Sequence, residues 1–287
     1  MAARGKRQEF KQIQENHKIR LLIDTTREQF VFSYDPTPSA DGCKRINLGL
    51  AALERVWAYC YAFASFDSLL EKRPPGELIF LKEESSVESA RRLINIADVA
   101  QRANRRMEFP EDLPRPDRSM EEIDINVANN LFLLVTAFII THEMGHICLN
   151  HPPANFITME QSVREERNAD AWAANFILSG WEASTDEIGR VARANAISAG
   201  MALLASVELE LHPEQRRNHP KVPDRLLEFF ANHLPVEDGT ASLLKTYPRR
   251  FACAMLYAFM LSRNIQFNYT EKYDTYTDLL FALRGVF

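Results

Sequence analysis

Cysteine is scarce in this sequence. Four occur in 287 residues, at positions 43, 60, 148 and 253, and no two are spaced as CxxC. That argues against disulfides or zinc ligands. Cys60, Cys148 and Cys253 lie in apolar, helix-like contexts and read as buried thiols, which points to the cytosol. An excess of basic residues is also missing. Lysine and arginine total 34 against 39 aspartates and glutamates, a net charge of -5, which speaks against general affinity for nucleic acid or anionic membrane. The first stretch, MAARGKRQEFKQIQENHK, is basic but lacks the apolar core of a secretory signal. The longest apolar runs, 131–140 and 251–261, fall short of the roughly 20 residues that cross a bilayer, so they read as core helices and no membrane insertion is expected. There is no internal repeat and no low-complexity tract. What remains is an ordinary composition, 46% hydrophobic and 25% charged, sufficient to bury one sizeable core.

Strand-like pieces come early. IRLLID (19–24) and QFVFSY (29–34) flank a polar turn and are expected to pair as a hairpin. DPTPSADG (35–42) breaks the chain. Between residues 48 and 70, Leu50, Leu53, Val56, Trp57, Tyr61 and Phe63 recur at helical spacing, and GELIFLK (76–82) reads as a third strand. The chain is then helical almost to its end. Ser85 with Glu88, Ser119 with Glu122, Thr158 with Gln161, and Ser184 with Glu187 fit the S/T-x-x-E/Q pattern that caps a helix start. FPEDLPRPD (109–117) is a proline-rich break. The fold class expected is mainly α with a small β-sheet near the N-terminus, an α+β arrangement.

The chemistry concentrates in THEMGHICLNH, from Thr141 to His151. Ten largely apolar residues, LFLLVTAFII, lead into two histidines and a glutamate. On a helix, positions four apart share a face, so His142 and His146 can point at one ion. Glu143 is turned by about 100° and can reach a water on that ion without ligating it. Neutral imidazole suits zinc, and a catalytic zinc keeps one position open for water. Gly145, between the histidines, costs about 1 kcal/mol of helix propensity relative to alanine, a cost that makes sense if another backbone or a substrate passes close by. HPPANFI (151–157) stops this helix. The next one carries REERNADAWAANFIL, with Glu166 and, one turn on, Asp170; Ala169, Ala173 and Ala174 keep it thin enough to approach Gly145. The competing reading is an acidic solvated face of Glu165, Glu166 and Asp170 beside Arg164 and Arg167. His151 is read as a cap at the helix end, with a role beside the metal as the alternative.

HExxH followed by E-x-x-x-D on the next helix resembles the gluzincin metallopeptidases, a zincin-like fold. The resemblance implies Glu166 as third zinc ligand and Asp170 as the acceptor that orients a ligating histidine through its other N–H. HPKVPDRLLEF is similar to the H-P-x(4)-R-[IL] element of the membrane-protease branch, which implies that His219 or Arg225 holds substrate or the developing oxyanion. The alternative is a plain helix start with His219 on the surface. The pattern H-E-x-G-H-I-x-L-x-H looks most like the phage-exclusion peptidase Lit family, cytosolic bacterial proteins implicated in abortive infection through cleavage of translation elongation factor Tu. The ImmA/IrrE-type peptidases are similar through E-R-x-A-[ND]-x-[FW]-A, met by 166–173.

These readings assemble into one metallopeptidase domain over 1–287. Residues 1–118 would hold the small β element and two helices, 119–235 the zinc-binding helical core with HExxH on a central buried helix, and 236–287 the C-terminal helices. The expected function is zinc-dependent hydrolysis of a peptide bond in a protein substrate, with Zn2+ on His142, His146 and Glu166 and with Glu143 as the base. Phe229, Phe230, Tyr247, Phe251, Tyr257, Phe259, Tyr273 and Tyr276 are expected in the core, although such a set could also serve as a lid or as a surface for an activating or inhibiting partner. Two rivals stand beside this: a zincin-like regulatory or binding module without turnover, and a helical scaffold whose histidines bond carboxylates with no metal.

Overall fold

The computed structural model describes residues 4–25, 32–70, 85–116, 123–152, 157–179, 187–210, 220–234, 243–263, 265 and 275–284. Along these run α1 (Arg4–Asn16), β1 (Ile19–Asp24), β2 (Phe32–Asp35), β3 (Lys44–Gly49), α2 (Leu50–Leu70), α3 (Ser85–Arg102), α4 (Ile123–Cys148), α5 (Met159–Leu178), α6 (Glu187–Glu210), α7 (Val222–His233), α8 (Leu243–Ser262) and α9 (Tyr276–Leu283). The mainly helical class with a small N-terminal sheet is as expected.

The sheet differs from the expected hairpin. Its order is β1-β3-β2: β1 lies parallel to β3, with Ile19 opposite Lys44, and β2 lies antiparallel to β3, with Tyr34 opposite Ile46. KRINLG, unnoticed as a strand, is the central one. It alone can bury its inward residues, Ile46 and Leu48, between two neighbours. The stretch 76–82 and the capping patterns at Ser119 and Ser184 lie outside the described residues, as do His219 and Tyr273.

α4 is mostly apolar and must be largely covered, although one stripe of it, Asn126, Val127, Asn130, Leu133 and Ala137, is exposed. It packs between α2, α5 and α6 and touches β2 and β3. The apolar run 131–140 is only its middle. Ile125–Cys148 is long and apolar enough to span a bilayer by length and composition, yet 61% of that window is buried inside the fold. α8 packs on α2 and α6 and brings Phe251, Tyr257 and Phe259 to the core, as α7 brings Phe229 and Phe230. Buried charge is paired: Arg55 of α2 meets Asp98 of α3 at 2.9 Å, and Arg250 of α8 holds Asp67 of α2 through two bonds of 2.9 and 3.0 Å.

Candidate metal centre

α4 and α5 meet where both are thin. A Cβ on Gly145 would lie 3.3 Å from the Cα and the carbonyl oxygen of Ala169, so glycine and alanine set how near the two backbones come. His142 faces Asp170 and His146 faces Glu166 across this contact. The sequence number rises on one helix as it falls on the other, so they run antiparallel. The acidic face of α5 is therefore not solvated. Glu165 and Asp170 are buried and Glu166 is mostly covered, while Arg164 and Arg167 turn outward.

Three donors converge. His142 Nε2 and His146 Nε2 are 3.1 Å apart, and each lies 3.4 Å from an oxygen of Glu166. One donor atom from each of the three can be chosen with all of them within 4.8 Å of one another, a set able to hold a metal ion. The spacing fits a small cation. Donors at 2.0–2.1 Å around tetrahedral zinc are about 3.3 Å apart, close to these separations.

The electrostatics point the same way. Burial works against a charge on His142, but Asp170 and Glu166 outweigh it and raise the imidazole to about 10. His146, buried and beside a charged His142, drops to about 3. The pair thus admits one positive charge between two carboxylates, the environment of a cation site. Asp170 is 3.0 Å from His142 Nδ1, somewhat off the ring's N–H direction. Burial would raise its carboxyl, yet Arg225 and His142 hold it below the ordinary range. Arg225 grips Asp170 with both arms, Nε to Oδ2 at 2.7 Å and Nη2 to Oδ1 at 2.6 Å, and its Nη2 is 3.8 Å from Glu166. It is buried and turned to the carboxylates, so its place here is behind the ligands rather than at an open oxyanion position.

Glu143 is 7% exposed. Burial lifts its carboxyl to about 7, while the charge of His142 first, and then the main chain of Tyr34, pull the other way. Tyr34 gave no signal in the sequence beyond an aromatic in a strand. Its ring stacks on His146 at 4.6 Å and 6°, and its hydroxyl donates to Pro152 O at 3.1 Å. The hydroxyl itself is driven well above the usual tyrosine range, by burial first and then by Glu143, Glu165 and Glu166. His151 corrects the reading of it as a plain helix cap. It is buried, with Nδ1 2.9 Å from His146 Nδ1. The signal available for it was an Asn-His pair placed so that the histidine falls five residues beyond His146.

A helical pair presenting two imidazoles and a carboxylate to one point could hold a metal, which would polarise a water for the neighbouring glutamate to deprotonate. No solved structure matches this chain. It is similar to the cell death peptidase of Escherichia coli strain K12, 26% identical over 224 residues that cover 77% of this chain and 73% of that protein. The model of the peptidase U49 family matches residues 46–244. That span is more than half of the chain and contains every described site residue except Tyr34, and by it the chain belongs to the peptidase U49 family.

Proposed function

We propose that the chain is a zinc-dependent endopeptidase of the gluzincin type that hydrolyses a peptide bond within a protein substrate in the cytoplasm. Family membership supports peptide hydrolysis, and the metal rests on one observation: three donors of the zinc-preferred kind, 3.1 and 3.4 Å apart, facing one point. Zinc held there would supply a Lewis acid that brings the pKa of water to about 7. The rest of the work falls to the chain's own residues. His142, His146 and Glu166 bind, and Arg225 fixes Asp170, which sets the ring of His142. Glu143 takes the proton from the attacking water and passes it to the leaving amine. Burial raises this carboxyl to about 7, and a cation at the triad would lower it again.

The relative's name and the likeness to phage-exclusion peptidases support a role in phage defence or a stress response. Glu143 is almost covered and Tyr34 lies flat against His146, so a peptide needs β2 to move before it reaches the base. An activating protein partner could supply that motion. The same closure favours, as a second reading, a zincin-like module that binds without turnover.

Elemental analysis of protein purified without added metal is expected to find about one zinc per chain. A chain that neither carries zinc nor takes it up overturns the metal. Proteomics of cells expressing the parent or the Glu143→Ala variant is expected to show new protein fragments with the parent alone. Fragments equal in both overturn Glu143 as the base, and fragments in neither favour the second reading.

A further inference from the structure

We propose that His151 is a positioning residue for the metal site: it accepts the Nδ1 hydrogen of His146 and so fixes the ring whose Nε2 faces the cation. This rests on reading His142, His146 and Glu166 as the metal-binding set.

The placement follows from how α4 ends. Asn150 sits at a φ of +55°. Its N–H donates to Ile147 O at 3.2 Å, and the next N–H, that of His151, donates back to His146 O at 2.9 Å. A left-handed residue flanked by these two bonds is a Schellman ending. The turn returns the residue after the left-handed one to the side of the residue five positions earlier, where an apolar pair usually packs. Here the pair is two imidazoles, with centroids 4.9 Å apart and planes at 74°. Terminating the helix needs only the main-chain N–H of residue 151, which any residue but proline supplies. The imidazole is therefore left for another task.

Two Nδ1 atoms 2.9 Å apart share one hydrogen. With His146 Nε2 turned to the other two donors, that hydrogen belongs on His146 Nδ1, and His151 is the acceptor. A ligating histidine ordinarily gives its second N–H to a carboxylate, a carbonyl or a water. For His142 the carboxylate near Nδ1 is Asp170, at 3.0 Å, whose charge Arg225 offsets. His151 holds His146 without adding a further negative charge to a site that already has Glu143, Glu165 and Glu166 around it. Tyr34 closes the arrangement, with its ring on the face of His146 and its hydroxyl on Pro152 O, next to His151.

The test compares the parent with His151→Phe, which keeps the ring and loses the acceptor, and His151→Asn, which keeps an acceptor. Zn2+ affinity is read by chelator competition, the Co2+-substituted protein by its visible absorption, and metal-free stability by thermal melting. His151→Phe is expected to bind Zn2+ about 10- to 100-fold more weakly, the loss typical of removing a partner of a metal-ligating histidine, and to alter the Co2+ bands. His151→Asn is expected to recover most of the affinity and the parental spectrum, and the metal-free melts are expected to stay together. His151→Ala is read in place of the phenylalanine variant if that one does not fold. Affinity and Co2+ spectrum unchanged in the variant lacking the acceptor overturn the proposal, as does an equal loss in His151→Asn. A parent that binds no Zn2+ fails in its own arm and overturns the metal reading, and the proposal with it.

Discussion

Asp170 is the residue on which the centre leans, because it is an anion enclosed by protein with His142 on one side and Arg225 on the other. Removing one partner of such a pair leaves a buried charge uncompensated, at a cost of about 3–5 kcal/mol. Arg225→Met is expected to lose that much at pH 7, measured by urea unfolding of metal-free protein. The sign of the pH dependence follows from the direction of the shift. A carboxyl held below its ordinary value contributes stability above its unfolded pKa near 4 and loses it as the pH falls through the folded one. The parent surrenders that contribution in acid, so the deficit of Arg225→Met is expected to shrink below about pH 4. A deficit equal at both pH values would mean that Arg225 acts by packing alone. The residues of the centre were unequally legible. His142, Glu143 and His146 could be placed because helical spacing fixes which side chains share a face, and Glu166 with Asp170 repeats the argument on the next helix. Tyr34 could not, since what it touches lies more than a hundred residues further on and the contact depends on β2 being the edge strand beside α4. Arg225 was found by motif, but its pairing with Asp170 was not foreseen, because a motif says which residue is present and not where its guanidinium points.

The elements are held at their spacing by two glycines. Gly145→Ala sets two effects against each other. Helix propensity gains about 1 kcal/mol, but the new methyl meets the main chain of Ala169 at 3.3 Å and Trp172 Cε3 at 3.4 Å. A side chain can swing away and a helix backbone cannot, so α5 must shift outward, carrying Glu166 from the histidines. Gly145→Ala is expected to melt close to the parent when metal-free and to bind Zn2+ more weakly by chelator competition. Unchanged affinity would show slack in α5. At Gly200 of α6 the conflict is larger, since a Cβ would fall 2.2 Å from Cδ1 of the buried Phe138, one turn before His142. Overpacking of this kind costs about 1–3 kcal/mol. Gly200→Ala is expected to lower the thermal midpoint accordingly, and Gly200→Ala with Phe138→Leu to lose less than the two single effects together. Additive losses would mean that the methyl is accommodated elsewhere. Among the elements, the long helices could be read from periodicity and caps. The sheet could not: adjacent strand-like segments suggest a hairpin, whereas β1 and β2 each pair with a strand further along, and the alternation in KRINLG is too short and too polar to announce its central place.

At the scale of the molecule, the centre joins α4, α5 and, through Arg225, α7, with β2 laid over it. A cation bound there favours the folded chain alone, by about 4 kcal/mol when free metal exceeds its dissociation constant 1,000-fold. At about 2 °C per kcal/mol for a chain of this size, chelation is expected to lower the melting temperature by roughly 8 °C. The gap should also depend on pH. In the metal-free protein a proton on His142 stands where the cation would, with the imidazole raised to about 10 against burial by Asp170 and Glu166. A group raised in the folded state gives stability that is complete below its unfolded pKa, near 6.5, and lost as the pH climbs through the folded value. Glu143, raised to about 7, loses its contribution in the same direction but is spent by that pH. His146, depressed to about 3, acts below 6.5. Among the groups of the centre, the change between pH 7 and 9 therefore belongs to His142. The metal-loaded protein, with that imidazole engaged as a neutral ligand, has no such proton to lose. Melting curves with and without chelator should separate further at pH 9 than at pH 7, after the metal-free stability of a His142→Asn control, which lacks the titrating ring, is used to subtract the background. A gap that stays constant, or that narrows with rising pH, would show that the proton and the cation do not compete for one place.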